Sequence, residues 1–167
     1  MKRLFLILLA VVTIGSVSLS AQVRADRTNS VNLSLKGLNY NMERAYGKSF
    51  TMTYGLSLGI LGVEDLYIMP GLKVEPRIYY NLEKRRSNGR DVRYNSGEFF
   101  ALDLDLMVPS RLMNGSFLLF SITPKWGMRR MLVDNLFIEL TMGLNIFFHA
   151  DEFSVYAGPG IRIGYIF

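Results

Sequence analysis

The chain is predicted to be all-β: a single antiparallel up-and-down transmembrane β-barrel of eight strands. Three observations predict it. From Gly47 onward apolar and polar side chains alternate with a period of two, no long segment carries the 3.6 period of a helix, and the apolar faces run unbroken for five to seven alternate positions. A typical soluble strand of roughly 5–6 residues needs no face that long.

The first segment has the layout of a secretory leader. "MKR" is a short basic start, "LFLILLAVVTI" an apolar run, and "GSVSLSAQ" a small-residue stretch suited to cleavage. The run is shorter than the roughly 20 apolar residues of a membrane-spanning helix. Residues 1–21 are therefore expected to be a signal peptide, cut between 20 and 25, and residues 22–167 one barrel domain. Removing Lys2 and Arg3 lowers the formal charge of +5, so nucleic acid is not an expected partner. The chain has no cysteine, which excludes disulfides, a thiol nucleophile and thiolate metal sites.

Six strands are read directly, at 48–60, 66–82, 97–108, 116–129, 135–148 and 153–167. In the first of these Phe50, Met52, Tyr54, Leu56, Leu58 and Ile60 share one face, and Thr51, Thr53, Gly55, Ser57 and Gly59 the other. Before Gly47 the apolar set Val31, Leu33, Leu35 changes phase at Lys36–Gly37 and continues as Leu38, Tyr40, Met42. A one-residue slip reverses the two faces, so the change marks either a bulge or a chain reversal. Single-chain bacterial barrels have an even number of strands, which favours a reversal and a short first strand at 29–36. Pro70, Pro76, Pro124 and Pro159 fall in or near strands, and bulges or widely spaced pairs are expected there.

The face a barrel turns inward separates two architectures. A soluble sandwich or lipocalin-like barrel buries its apolar face, whereas a membrane barrel shows that face to lipid and encloses a polar lumen. The polar faces here combine Gly, Ser and Thr with charges of both signs, which suits a narrow interior of paired ions. Lys73, Glu75, Arg77, Asp103, Asp105, Lys125, Arg129, Glu139 and Arg162 are accordingly expected to form a lumen charge network, with Arg162 seeking Asp103, Asp105 or Glu139. Trp126, Tyr79, Tyr80, Tyr165 and Phe167 lie towards strand ends, where a boundary girdle would place them. With both termini in the periplasm, the connections "YGKS", "EKRRSNGRDVRYNS" and "RRMLVDN" are periplasmic, and "LGVED", "PSRLMNG" and "HADE" extracellular. The longest connection then lies on the side where turns are usually short.

The stretches "NYNMERAYGKSFTMTYG", "PGLKVEPRIYYNLEKRRSNGRDVRYNSGEFFAL" and "PKWGMRRMLVDNLFIELTMGLNIFF" resemble the small outer-membrane β-barrel proteins of Bacteroides-type bacteria, OmpX-like eight-stranded barrels. The resemblance runs from about Leu38 to Phe167. It implies a cell outer-membrane location, outer-membrane lipid as surroundings and the barrel-assembly machinery as a partner during insertion. It also implies that Ile163, Tyr165 and Phe167 serve as a C-terminal assembly signal.

Catalytic and metal chemistry have little support. His149 with Glu152 and Ser154 could suggest a lipid A-modifying esterase, but "HADEFS" is a loop without preset geometry. "HADE" offers one His beside two carboxylates, the composition of a solvated turn, and "GPGIRIG" alternates like a strand rather than opening a helix as a phosphate loop would. No enzyme activity, cofactor or metal is expected. The reading is a monomeric outer-membrane barrel with a structural or surface-interaction role; a narrow transporter or binder of a small ligand is the alternative, and the esterase the third.

Overall fold

The computed structural model describes residues 26–61, 67–108, 118–149 and 152–167. The leader expected over residues 1–21 and its cleavage site lie outside the described residues. Eight strands form: β1 Arg27–Ser34, β2 Gly37–Ala45, β3 Phe50–Leu61, β4 Tyr67–Tyr79, β5 Glu98–Met107, β6 Leu119–Met131, β7 Leu136–His149 and β8 Glu152–Ile166. Each pairs antiparallel with the next and β1 pairs with β8, closing an up-and-down barrel. Closure removes the unpaired edges that an open sheet would expose.

The phase change at Lys36–Gly37 is a chain reversal, in which Leu35 and Lys36 connect β1 to β2. Gly37 has φ +132°, and a Cβ there would run into the Leu58 carbonyl oxygen of β3. Only glycine meets both conditions.

The ladders also define the stagger. Stepping from Tyr165 of β8 across successive pairs leads through Val31, Tyr40, Leu56, Leu72, Leu106, Phe120 and Phe148 to Phe153, twelve residues from the start on the same strand. A stagger of this kind is what tilts the strands and sets the bore. Every residue on the path points outward, and all but Phe120 are exposed large hydrophobics.

The four described prolines insert no bulge. Pro76 stays opposite Met52, but pairing with β5 lapses between Val74↔Leu104 and Arg77↔Ala101 without a change of register. Pro124 does the same against β7, between Ile122↔Ile146 and Lys125↔Gly143. A missing N–H thus interrupts two residue pairs and leaves the alternation intact. Pro70 remains opposite Leu58, and its carbonyl accepts the Val108 N–H at 2.8 Å. Pro159 lies in the part of β8 beyond the end of β1, so no β1 acceptor faces its ring nitrogen.

β4 ends at Tyr79 rather than continuing to residue 82, because the following connection folds back on the barrel. It contains a helix, α1 Leu82–Ser87, and a single 3-10 turn Arg93–Asn95. Asn81 starts the departure: its side-chain oxygen accepts the Glu98 N–H at 2.8 Å, tying the two ends of the connection together. Leu82 and Val92 pack with Tyr79 and Phe99 in a small buried cluster. This plug end of the barrel also carries the start of β1 and the end of β8.

Candidate functional site: a charged lumen beneath an open cup

Strand alternation brings all nine of the charges singled out from the sequence to the inner face, where eight are almost fully buried and Arg162 largely so. They are joined by Glu43, which falls on the inner set Asn39, Asn41, Glu43 of β2 and was legible in that alternation. Lys73, Arg77, Lys125, Arg129 and Arg162 stand against Glu43, Glu75, Asp103, Asp105 and Glu139, so the formal charges cancel.

Most of these groups form one connected lattice. Arg129 donates to Glu43 at 2.7 Å and to Glu139 at 3.0 Å. Arg77 donates to both Glu139 oxygens, at 2.8 and 3.2 Å, and lies 2.8 Å from Glu75. Arg162 reaches Glu139 at 3.0 Å, Asp103 at 3.2 Å and Glu75 at 3.4 Å. Lys73 and Lys125 share Asp103, at 2.7 and 2.6 Å, and Glu75, at 3.0 and 3.1 Å. Forked guanidinium–carboxylate contacts of this type fix orientation as well as charge. Cross-strand register supplies two of the pairs directly, since Arg129 is opposite Glu139 and Glu139 opposite Arg162.

Two aromatic rings fill the plug end where glycines make room. Phe99 lies over Gly127, whose hypothetical Cβ would come within 2.5 Å of the ring, and Phe137 similarly lies over Gly164, at 2.6 Å. The Arg77 guanidinium sits 4.5 Å from the Phe99 centroid and that of Arg129 5.1 Å from Phe137, both within cation–π range. Tyr79, placed at the membrane boundary by its position near a strand end, is instead inside. It is fully buried, and its hydroxyl donates to Glu43 at 3.3 Å. Its position on the inner set after Arg77 decides this; strand-end location does not.

The plug is bonded to the lattice. Asn95 donates to Glu43 at 2.9 Å, and the Tyr94 carbonyl accepts from Arg129 at 3.3 Å. Tyr94 and Asn95 have φ of 50° and 60°, a region ordinary for Asn but uncommon for Tyr. Arg85 turns inward to donate to the Ser96 and Asp91 carbonyls, at 3.0 and 3.1 Å. The longest described connection therefore closes one end of the bore.

At the opposite end the lumen opens into a cup of about 440 Å³. Its floor is Lys73, Asp103, Lys125 and Arg162, and its walls include Met69, Met107, Phe147 and Tyr156. β7 and β8 continue past the end of β1, which raises Phe147 and Tyr156 as a stacked pair with centroids 5.4 Å apart. Lys36, at the β1–β2 turn, leans into that gap. Its ammonium donates to Asn145 at 3.0 Å and sits 5.7 Å from the Phe147 centroid. Burial pushes the Lys36 ammonium below its ordinary value, with Asp105 and Asp103 pulling the other way.

Tyr80, Trp126, Tyr165 and Phe167 are outside, near the plug end. Trp126 donates to the Tyr80 hydroxyl at 2.9 Å, which donates to Glu98 at 3.0 Å. Ile163 is also outward, completing the alternate set Ile163, Tyr165, Phe167. The His149 and Glu152 side chains lie outside the described residues; along the β7–β8 ladder their backbones pair, and Ser154 stands opposite Phe147. Among the described residues no group of three or more His, Cys, Asp or Glu is arranged to hold a metal ion.

These features define a small closed eight-stranded barrel with a charge-filled lumen, an internal plug and an apolar exterior. No family model, curated protein or solved structure matches the chain.

Proposed function

We propose that the protein is a small integral outer-membrane β-barrel, with a sealed lumen and a structural or surface-interaction role that involves no catalysis. One observation carries this reading: the barrel is inside out relative to a soluble one. Its interior holds ion pairs, and its exterior is a continuous surface of Leu, Ile, Val, Phe and Tyr. Contiguous exposed apolar surface of this extent is rare on water-soluble monomers, and it is the pattern a lipid-facing barrel requires.

The connections at the cup end face the cell exterior in this reading, and the plug faces the periplasm. A long periplasmic connection is unusual, but here it acts as a stopper. Tyr80, Trp126, Tyr165 and Phe167 form the periplasmic boundary girdle, and Ile163, Tyr165 and Phe167 are the residues the assembly machinery would read. The barrel works as a monomer, with outer-membrane lipid covering its belt.

Fractionation of expressing cells tests the location. The protein should remain in the outer-membrane fraction after alkaline washing and run differently on a gel before and after heating. Recovery in the soluble periplasm with no heat-dependent mobility would overturn the proposal.

A further inference from the structure

We propose that the cup binds a small zwitterion with an apolar body, the chemical class of a free α-amino acid with an aliphatic or thioether side chain. The inference rests on the barrel itself and holds whether or not the barrel lies in a membrane.

Two charged groups of opposite sign line the cup outside the lattice. Asp105 is buried to 4 % exposure, yet among the described residues it makes no ion pair. Its register partner Lys73 is already committed to Asp103 and Glu75. Among the described residues Lys36 donates to a neutral amide, Asn145, and lies over the face of Phe147, while Asp105 and Asp103 act on it without a direct bond. A buried carboxylate without a direct ion pair is costly, so Asp105 favours an incoming cationic group, and Lys36, exposed at the rim with no described carboxylate bonded to it, is open to an anionic one.

The lattice decides between ligand classes. Lys73, Lys125 and Arg162 each already contact two or three carboxylates, so a free anion would find no unsatisfied cation on the floor and would meet Asp103 and Asp105. A simple cation at Asp105 would add charge to a cup already lined by Lys36, Lys73, Lys125 and Arg162, with no anion of its own to offset it. A zwitterion meets both groups: its ammonium faces Asp105, its carboxylate faces Lys36, and it adds no net charge to the cup. Met69, Met107, Phe147 and Tyr156 then receive the apolar body. The volume of about 440 Å³ lies within the range of small-molecule sites.

The test uses the purified barrel in detergent micelles, titrated by calorimetry and by nuclear magnetic resonance. The probes are L-leucine, L-methionine, 3-methylbutylamine (leucine without its carboxylate) and 4-methylpentanoate (leucine without its amine). At least one amino acid should bind about tenfold or more tightly than either single-charge analogue, as expected for a charged hydrogen bond at each end. Asp105→Asn should abolish the advantage of leucine over 4-methylpentanoate, and Lys36→Met its advantage over 3-methylbutylamine. Amino acids that bind no better than the analogues, that leave the lumen resonances unmoved at millimolar concentration, or that bind unchanged to Asp105→Asn would overturn the proposal. Should either variant fail to fold, the comparison of the four probes on the unaltered protein decides the matter alone.

Discussion

Glu139→Gln is the sharpest perturbation of the lumen, because three guanidiniums converge on this one carboxylate. Arg77 reaches it at 2.8 and 3.2 Å, and Arg129 and Arg162 at 3.0 Å. Glutamine keeps the shape and one acceptor but removes the charge. Stranding a buried charge by deleting its partner costs about 3–5 kcal/mol. Each arginine here retains another carboxylate: Arg77 keeps Glu75 at 2.8 Å, Arg129 keeps Glu43 at 2.7 Å, and Arg162 keeps Asp103 at 3.2 Å. The expected loss therefore falls at the lower end, about 3 kcal/mol. Urea unfolding of the micelle-refolded barrel, followed through the single tryptophan, Trp126, measures it. Glu83→Gln, on the exposed face of α1, is the control and should change stability by less than about 0.5 kcal/mol. A loss below about 0.5 kcal/mol for Glu139→Gln would refute the argument that the lattice holds the barrel together.

Gly127→Ala should cost about 1–3 kcal/mol, because its methyl would overlap the Phe99 ring; Gly158→Ala, whose nearest neighbour is 3.9 Å away, should be close to neutral in the same unfolding assay. Asn95→Ala removes the bond to Glu43 at 2.9 Å and leaves alanine at φ 60°, so the plug should loosen and limited trypsin digestion should cut faster at Arg90 and Arg93. Planar bilayers should show no stable single-channel steps from the unaltered protein, since the lattice and the plug both obstruct the bore; reproducible steps would contradict a sealed lumen.

Strand alternation made most of this architecture readable in advance. Side chains of known sign at alternate positions on β4 to β8 had to share one face, and the phase change at Lys36–Gly37 resolves into a reversal that only glycine permits there. What alternation cannot convey is how a connection folds back. "LEKRRS" is too short and too charged to show a helical period, and its inward anchors, Leu82 and Arg85, matter only once Tyr79 and Phe99 are beside them. The cup was hidden for a similar reason. Lys36 reads as a turn residue, and its proximity to Asn145 depends on a stagger that leaves β7 and β8 standing above β1. Of the two outcomes expected at the prolines, the bulge does not form: at Pro76 and Pro124 the ladder loses pairs on one side and keeps its register.

The central claim is that the apolar exterior faces lipid, and a lysine placed in it measures this most directly. Leu72 is 59 % exposed and lies between Leu56 and Leu106 on the outer face, whereas Leu132 is 55 % exposed on the turn after β6. In lipid vesicles Leu72→Lys should lower the unfolding free energy by about 2–4 kcal/mol and Leu132→Lys by about 0–1 kcal/mol. Equal and near-zero costs at both positions, as on a surface bathed in water, would contradict the account.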